Sequence, residues 1–461
     1  MTRHQRHGFR SGKTPVHDHS NHRFENNLTV AFATRESARL PAQARHFIEM
    51  AEAGPKLFVH SRFQGDPRLD QVLNGRLFLR TSSRGPSVVT IQQALMDLGH
   101  NLPRFGADGE FGSETRAAVI EFQRFVRVSI PGFGVDGVIG TNTMEQLDLA
   151  ISRLRLRKDV TALTAAERIA FVNALNEWER LNKRGQFVID HGRASQFAHA
   201  NSGFLPWHRQ FILNFESQLN AIDDRVSLPY WNSTADDGVG AGGAFEWNPA
   251  MTAMIGGNGS GAPVRFLSAA DAAAGGTPAV IGRELLTGPI AHWRFIDESG
   301  RRTSTRLARE FHVILTRFRV TGLPGPAEVA QFDRIPVYDA PDFGQNPTLP
   351  SFRSGLERLM HNRVHVWVGG HLGEVPVSPN DPAFFLHHCM VDRLWAKWQA
   401  DFPAATYLPA VRTGDAPGAA EPMRVMNLDQ ATPATVTPAG VWDSANLTDS
   451  FGKSRLRVRY V

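Results

Sequence analysis

The sequence predicts a mainly α-helical protein, and three observations favour this fold class. Apolar residues recur at helical spacing in residues 88–98 and again in residues 118–126. Residues 164–180 open with the Thr and Glu of a capping box, so we expect one helix across this segment. His361 and His365 are four residues apart, a spacing that places both rings on one face of a helix.

Length and composition place the chain among ordinary globular proteins. Its 461 residues suffice for two or three domains, and 42% of them are hydrophobic and 21% charged. No apolar run approaches the ~18 residues that a membrane-spanning helix requires, so we expect no membrane partner. The formal net charge of +5 is small and the basic residues are scattered, so the sequence does not favour nucleic-acid binding.

Residues 1–35 are predicted to form a disordered, histidine-rich polar tail, with a weak metal-collecting arm as the alternative. No apolar region follows the positive charges of this tail, so we expect no secretory signal. The chain is then a cytoplasmic protein as synthesised, and any export uses a partner or dedicated machinery. Residues 36–81 predict a helical lead-in without an assigned function. The single cysteine, Cys389, excludes an internal disulfide.

Residues 82–150 contain a repeated motif. The segment DGEFGSET that begins at Asp108 recurs as DGVIGTNT, beginning at Asp136. Each Asp-Gly pair predicts a tight turn, and we expect Ser113 and Thr141 to cap the helices that follow. With the segments IQQAL and EFQRF, the repeat resembles the small three-helix peptidoglycan-binding domain found beside cell-wall enzymes. The resemblance implies a cell-wall glycan as partner, and use as a docking module stays open.

Three histidines, His191, His199 and His208, fall within one short stretch that also contains Phe197 and Trp207. Several imidazoles in such an apolar setting are typical of metal ligation. The stretch therefore predicts one metal site.

A second cluster predicts a second metal site. His361 and His365 lie in the segment HNRVH, and either His387 or His388 can supply a third ring. Two sets of three neutral imidazoles, without a carboxylate or thiolate, suit a borderline or soft ion such as copper better than magnesium, calcium or manganese. Zinc remains chemically possible.

These clusters and their flanking motifs resemble the tyrosinase, catechol oxidase and haemocyanin family of binuclear copper proteins. The matching segments are LPWHR from Leu205, LPYW from Leu228, HNRVHVWVGG from His361 and DPAFFLHH from Asp381. The resemblance covers residues 160 to 400, and we assign residues 160–461 to this domain. It implies a tyrosinase-like core built on a four-helix bundle that holds two copper ions, with O2 as co-substrate.

The resemblance also implies the metal ligands. One copper ion would be held by His191, His199 and His208, and the other by His361, His365 and His388. Each ring must be neutral to bind a metal ion. His387 would then be a neighbour of the site and not a ligand.

Three further positions match functional residues of the family. In hydroxylating members a glutamate and an asparagine orient a water, and Glu357 and Asn362 match them, although Glu357 lies closer to His361 than is usual. A phenol has a pKa near about 10, so it needs such help to lose its proton at neutral pH. Val375 matches a position that lines the substrate entrance of bacterial relatives. A helix-surface carboxylate is the alternative interpretation of Glu357.

The implied activity is that of a copper oxidase with a small phenolic substrate. It would hydroxylate monophenols and oxidise o-diphenols to o-quinones. Two alternatives stay open. One is a catechol or o-aminophenol oxidase without hydroxylation, and the other is a non-catalytic oxygen-binding protein.

The remaining segments predict few regular elements. The glycine-rich residues 232–262 predict a loop, and residues 265–350 predict a connection with helical pieces around residues 306–318. The chain turns irregular after residue 402 and alternates like a strand in residues 456–461. In the last helical segment, Asp392 and Arg393 are expected to form a structural pair.

Overall fold

The structure is a computed structural model that describes residues 54–240, 243–312, 322–340, 350–423, 436–449 and 452–461. The predicted tail and the first part of the lead-in, residues 36–53, lie outside the described residues. The disordered tail therefore stays a prediction.

The described chain is mainly α-helical, as the sequence predicts. Its helices are α1 Pro67–Leu73, α2 Pro86–Asp97, α3 Ser113–Ser129, α4 Thr141–Arg153, α5 Ala165–Arg180, α6 Arg184–Ala198, α7 Phe204–Ile222, α8 Pro249–Ile255, α9 Ala269–Ala273, α10 Pro326–Val329, α11 Phe352–Gly355, α12 Asn362–Val368 and α13 Ala383–Asp401. A π-helical turn, Leu356–His361, joins α11 to α12. The predicted capping box opens α5, because the Thr164 hydroxyl accepts from the Glu167 N–H. Among the described helices, none combines the length and apolar character needed to cross a bilayer.

The strands are short and lie at the edges of the helical core. They are β1 Leu154–Arg157, β2 Pro263–Phe266, β3 Ala279–Glu284, β4 Arg294–Ile296, β5 Arg302–Arg306, β6 Ala308–Arg309 and β7 Arg457–Tyr460. β1 pairs in parallel with β7, while β2–β3–β6 and β4–β5 are antiparallel. The strand predicted at the end of the sequence is therefore β7.

The helical pieces predicted around residues 306–318 are wrong where the structure describes that segment. β5 and β6 occupy residues 302–306 and 308–309, and residues 313–318 lie outside the described part. β-branched Thr303 and Thr305 favour a strand, and Arg309 pairs with Arg283 of β3. The secondary structure of this segment depends on pairing with strands remote in sequence, which its local composition does not reveal.

Helices α2, α3 and α4 form the N-terminal module, in agreement with the predicted three-helix domain. Its core also contains side chains from the described part of the lead-in, namely Phe58, Phe63, Leu69, Val72 and Leu73. The described part of the lead-in thus packs into this module.

Two buried glutamines explain the repeat. Gln92 donates to the Asp108 carboxylate at 2.8 Å and accepts from the Gly109 N–H at 2.8 Å. Gln123 makes the equivalent contacts with Asp136 at 2.9 Å and with the Gly137 N–H at 2.9 Å. Each glutamine thereby fixes one Asp-Gly turn against the helix that precedes it.

The expected caps at Ser113 and Thr141 are wrong. Gly112 and Gly140 occupy the cap positions with extended backbones, and neither helix has a side-chain cap hydrogen bond. The Thr141 hydroxyl instead donates to the Val72 carbonyl at 3.1 Å. In the folded chain this hydroxyl forms a tertiary hydrogen bond and does not cap its own helix.

Polar contacts fasten the N-terminal module to the second domain. Asp224, just after α7, accepts from the Ser61 N–H at 2.7 Å, and its carbonyl contacts His60 Nε2 at 3.1 Å. Arg459 of β7 donates to carbonyl groups at the end of α2, at 3.2 Å for Met96. The carboxyl-terminal strand therefore touches both units.

The second domain has a large aromatic core between α5, α6, α7 and α13. The rings of Phe215 and Phe385 stack at 3.7 Å, and Trp178 contacts Phe215 edge-on at 4.9 Å. Such packed rings hold the helices at fixed distances. The histidines of both clusters project from four helical segments of this core: α6, α7, the π-helical turn with α12, and α13.

Candidate metal centre

The first histidine cluster converges. His191 lies within α6, His199 directly follows α6, and His208 lies within α7. One nitrogen of each ring lies within 4.8 Å of the other two. The structure thus brings together the three histidines predicted for the first site.

The second cluster converges as well. His361 ends the π-helical turn and His365 lies on α12. With His387 they form a group whose nitrogens lie within 4.8 Å of one another. His388 is also close, because its Nε2 atom lies 3.2 Å from His361 Nε2 and 3.3 Å from His365 Nε2.

The contacts of His387 and His388 favour His388 as the third ligand of the second site. His387 Nε2 lies 3.2 Å from the His361 carbonyl oxygen, so this nitrogen is used in a hydrogen bond to the backbone. The His388 Nε2 atom instead faces the Nε2 atoms of both other rings. Three nitrogens directed at one point are the arrangement that a metal ion requires.

The two triads face each other. His208 of the first triad stacks on His388 of the second, with 4.3 Å between ring centroids and 10° between planes. The ring centroids of His199 and His361 are 6.3 Å apart. Phe384 packs against both triads, 5.0 Å from His191 and 4.1 Å from His388. The two metal positions therefore lie next to each other, with Phe384 packed against both.

Hydrogen bonds at the Nδ1 atoms orient four of the rings. His199 Nδ1 contacts the Ser195 carbonyl at 3.1 Å, and His208 Nδ1 contacts the Phe204 carbonyl at 2.8 Å. His365 Nδ1 contacts the Leu372 carbonyl at 2.8 Å. His361 Nδ1 contacts the Asn362 side-chain oxygen at 2.8 Å. Since these oxygens can only accept, each Nδ1 carries the proton and each Nε2 keeps its lone pair for a metal.

Burial keeps these rings neutral at physiological pH. It lowers the pKa of His199 and of His365 to about 4. Burial also lowers the pKa of His191, His208 and His388 well below the ordinary value. Neutral imidazoles are the form that binds metal ions.

The site fits two copper ions. The buried Nε2 atoms of His191 and His208 have no hydrogen-bond partner among the described residues, an arrangement that is costly unless a metal ion takes the lone pairs. The donor set consists of imidazole nitrogens, which suits copper. His191, His199 and His208 would hold one ion, and His361, His365 and His388 the other. When bound, two copper ions would supply two one-electron steps to O2.

Glu357, predicted as a base or as a helix-surface carboxylate, is buried. Only 3% of its surface is exposed, so the surface interpretation is wrong. One carboxylate oxygen accepts from the Ala200 N–H at 2.6 Å, and the other accepts from Arg353 at 2.7 Å. Burial raises the pKa of Glu357, and the Arg353 guanidinium opposes this rise.

Asn362 and Val375 lie on the exposed side of the site. Asn362 is exposed, and its side-chain oxygen contacts the His361 ring. Val375 is 48% exposed, and its backbone carbonyl contacts His191. These positions agree with a location near an opening, and their catalytic roles stay predictions.

The expected pair of Asp392 with Arg393 is wrong. Asp392 instead contacts Arg157 at 2.9 Å and Arg209 at 2.5 Å, while Arg393 lies over the Tyr230 ring. Consecutive residues on a helix point in different directions, so their side chains do not meet. This helical geometry is the signal that could have excluded the pair from sequence.

Sequence reasoning also missed Asp339. Its carboxylate accepts from Arg353 Nε at 3.0 Å and from Arg353 Nη2 at 2.8 Å. No local pattern marks Asp339, because its partner lies in a different segment. Only the arginine in the segment FRSGLE could have suggested that Glu357 is paired.

Comparisons with known proteins agree with this geometry. The family model of the common central domain of tyrosinase matches residues 167–401, and that of the peptidoglycan binding domain matches residues 84–147. Grixazone synthase of Streptomyces griseus subsp. griseus is 34% identical over 320 residues, covering 63% of this chain and 97% of the relative. A tyrosinase of Streptomyces antibioticus is 33% identical, covering 61% of this chain and 96% of the relative.

A solved polyphenol oxidase from Thermothelomyces thermophila is 19% identical, with a TM-score of 0.46, over 76% of this chain and 98% of that chain. The family model alone spans half of the sequence, and it includes all six histidines of the two triads. The chain therefore belongs to the tyrosinase family and is a tyrosinase-type copper oxidase with two copper ions as cofactor and O2 as co-substrate.

Proposed function

We propose that this enzyme hydroxylates monophenols and oxidises the resulting o-diphenols to o-quinones. The observation that carries the proposal is that one ligand ring in each triad, His199 in the first and His365 in the second, is partly exposed. A phenol can therefore approach both metal positions. Val375 and Asn362, both exposed, contact His191 and His361, one ligand of each triad, and support this direction of approach.

The chain must also take a proton from the phenol. The Glu357 carboxylate lies close to the first triad, since it accepts from the backbone N–H of the residue after His199. Asn362, fixed by the His361 ring, can hold a water beside it. We infer that Glu357 accepts the phenol proton through such a water.

One observation favours a second candidate function, oxidation of o-diphenols or o-aminophenols without hydroxylation. Both Glu357 oxygens already accept a hydrogen bond, one of them from a guanidinium. Although burial raises the pKa of Glu357, a carboxylate whose two oxygens already accept hydrogen bonds has fewer lone pairs left for a water that carries the phenol proton. Loss of this acceptor limits hydroxylation more than it limits oxidation of a catechol.

A matched pair of substrates separates the two functions. The copper-loaded full chain is given 4-methylphenol or 4-methylcatechol, which differ by one hydroxyl group, while O2 uptake and quinone absorbance are recorded. Turnover of both supports hydroxylation, and turnover of 4-methylcatechol alone supports the second candidate. Reversible O2 uptake without quinone from either substrate would overturn both and leave an oxygen-binding protein.

For the N-terminal module we propose a cell-wall glycan as ligand. A groove of about 590 Å³ lies between the start of α2 and the first Asp-Gly turn. It is lined by Arg84, Pro86, Val89, Thr90, Asp108 and Glu110. Polar and apolar side chains together suit a sugar, which presents hydroxyl groups and apolar faces.

Co-sedimentation of the full chain with purified peptidoglycan tests this assignment. We expect the double variant Arg84→Ala and Thr90→Ala to remain in the supernatant. Arg124→Ala, an exposed arginine of α3 outside the groove, should sediment like the wild type. Wild-type protein that never sediments would favour the docking module instead.

A further inference from the structure

We propose that Asp339, Arg353 and Glu357 form a clamp that positions His199 and thereby sets the copper affinity of the first site. The three side chains are named the ion-pair clamp below. Its action does not depend on whether the enzyme hydroxylates monophenols.

The loop that carries His199 needs such support. His199 leaves α6 with an extended backbone, and Ala200 has a φ of +56°, in the left-handed region. That region is unfavourable for a residue with a Cβ atom. External contacts must therefore hold the loop in place between α6 and α7.

The clamp supplies those contacts. Glu357 accepts from the Ala200 N–H at 2.6 Å, directly after the ligand. Asp339 accepts from the Ser202 hydroxyl, two residues further on. Tyr338, next to Asp339, donates its hydroxyl to the Ser202 carbonyl at 2.8 Å. Both ends of the short loop are thus tied to the same group of side chains.

Arg353 joins the two acids into one rigid unit. It binds Asp339 with two hydrogen bonds, at 3.0 Å and 2.8 Å, and binds Glu357 at 2.7 Å. All three residues are at most 3% exposed. A planar guanidinium held by two buried carboxylates has little freedom to move.

The clamp also links the two triads. Glu357 lies on the π-helical turn that ends at His361, a ligand of the second site. A displacement of this turn would therefore reach the His199 loop through the Ala200 N–H. Partners that orient ligands typically change metal affinity by about 10- to 100-fold when they are lost.

Competition with a Cu(I) chelator tests the clamp. Fully loaded Arg353→Lys protein is titrated with bathocuproine disulfonate, and the copper retained per chain is measured without any phenol. A lysine keeps the charge but cannot bind both carboxylates as a fork. We expect one of the two coppers to leave at a chelator concentration about tenfold or more below that of the wild type.

Arg309→Lys is the matched control. Arg309 forms a buried pair with Asp381 through two hydrogen bonds, at 2.6 Å and 2.8 Å, and both residues are fully buried. Its other hydrogen bonds go to carbonyls of residues 255–257, away from the His199 loop. This variant should release copper like the wild type. Equal early release from both variants, or wild-type release from Arg353→Lys, would overturn the clamp.

If Arg353→Lys does not fold, Glu357→Gln and Ser202→Ala provide the same test. Glu357→Gln keeps an acceptor for the Ala200 N–H but loses the charge that holds Arg353, so we expect early loss of one copper. Ser202→Ala removes one tie and should give a smaller shift in the same direction. A Glu357→Gln protein that keeps both coppers and loses only hydroxylation would refute the clamp while supporting Glu357 as the base.

Discussion

The rings of His208 and His388 lie nearly parallel, with 4.3 Å between their centroids. One ring belongs to α7 and the other to α13, so the two metal triads meet where these helices pack. The positions of α7 and α13 therefore set where each of these two rings can bind its metal ion. The aromatic core between them, including Phe215 and Phe385, provides that rigidity.

The identity of the third ligand of the second site can be tested directly. We expect His388→Ala to retain about one copper per chain, because it removes the Nε2 atom that faces His361 and His365. His387→Ala should retain two coppers, since that ring contacts a backbone carbonyl. Metal analysis of both purified variants decides the matter, and the reverse result would make His387 the ligand.

Loss of the Asp392 charge should destabilise the copper domain. Asp392→Asn leaves Arg157 and Arg209 buried without their shared carboxylate, so we expect a loss of about 3–5 kcal/mol in chemical denaturation. Asp401→Asn, in an exposed pair with Lys397 on the same helix, should cost less than about 1 kcal/mol. Similar effects of the two variants would argue against the buried network.

His371 should make the protein sensitive to acid. Burial lowers the pKa of His371 from its ordinary value of 6.5 to about 3, and its Nδ1 accepts from the Ala308 N–H at 2.9 Å. Below about pH 6.5 this histidine is protonated in the unfolded chain, whereas in the folded chain it stays neutral down to about pH 3. The contribution of His371 to the free energy of unfolding is therefore at its maximum above pH 6.5 and decreases as the pH falls towards 3.

His371→Asn keeps an acceptor but cannot titrate. We expect its melting temperature to fall less than that of the wild type between about pH 7 and about pH 5. Differential scanning calorimetry of the copper-free protein measures this difference. Parallel pH curves for the two proteins would exclude His371 as a source of acid sensitivity.

Val375 should control access by large phenols. Val375→Phe places a ring beside the His191 contact, so we expect KM for a bulky phenol to rise roughly tenfold and KM for catechol to change little. Val411→Phe, at another exposed valine, is the control. Initial-rate kinetics with both substrates test this, and equal changes in the two KM values would contradict an entrance role.

Asp224 should hold the two domains together. Asp224→Ala removes the acceptor for the Ser61 N–H, so we expect the N-terminal module to melt in a separate, earlier transition. Asp223→Ala removes the local contacts of Asp223 with the side chain and N–H of Arg225 and serves as the control. Calorimetry that records one unchanged transition for Asp224→Ala would show that other contacts suffice.

Predictions from local pattern agree with the structure where local interactions decide the outcome, and they are wrong where a partner distant in sequence decides it. The capping box of Thr164 and Glu167 and the strand at Arg457–Tyr460 follow from spacing within a few residues. The partner of Asp392 and the role of the Thr141 hydroxyl do not, because Arg157 and Val72 approach them only in the folded chain. The burial of Glu357 does not follow from local spacing either, because it depends on contacts with both Arg353 and Ala200.

The sequence by itself determined the helical class, the repeat and the two sets of histidines, since periodicity and residue type are local properties of a chain. Only the tertiary structure decided that His388 faces His361 and His365 and that Asp339 supports the His199 loop. The physical reason is that ligand geometry and ion pairing depend on distances across helices, and packing of the aromatic core sets those distances.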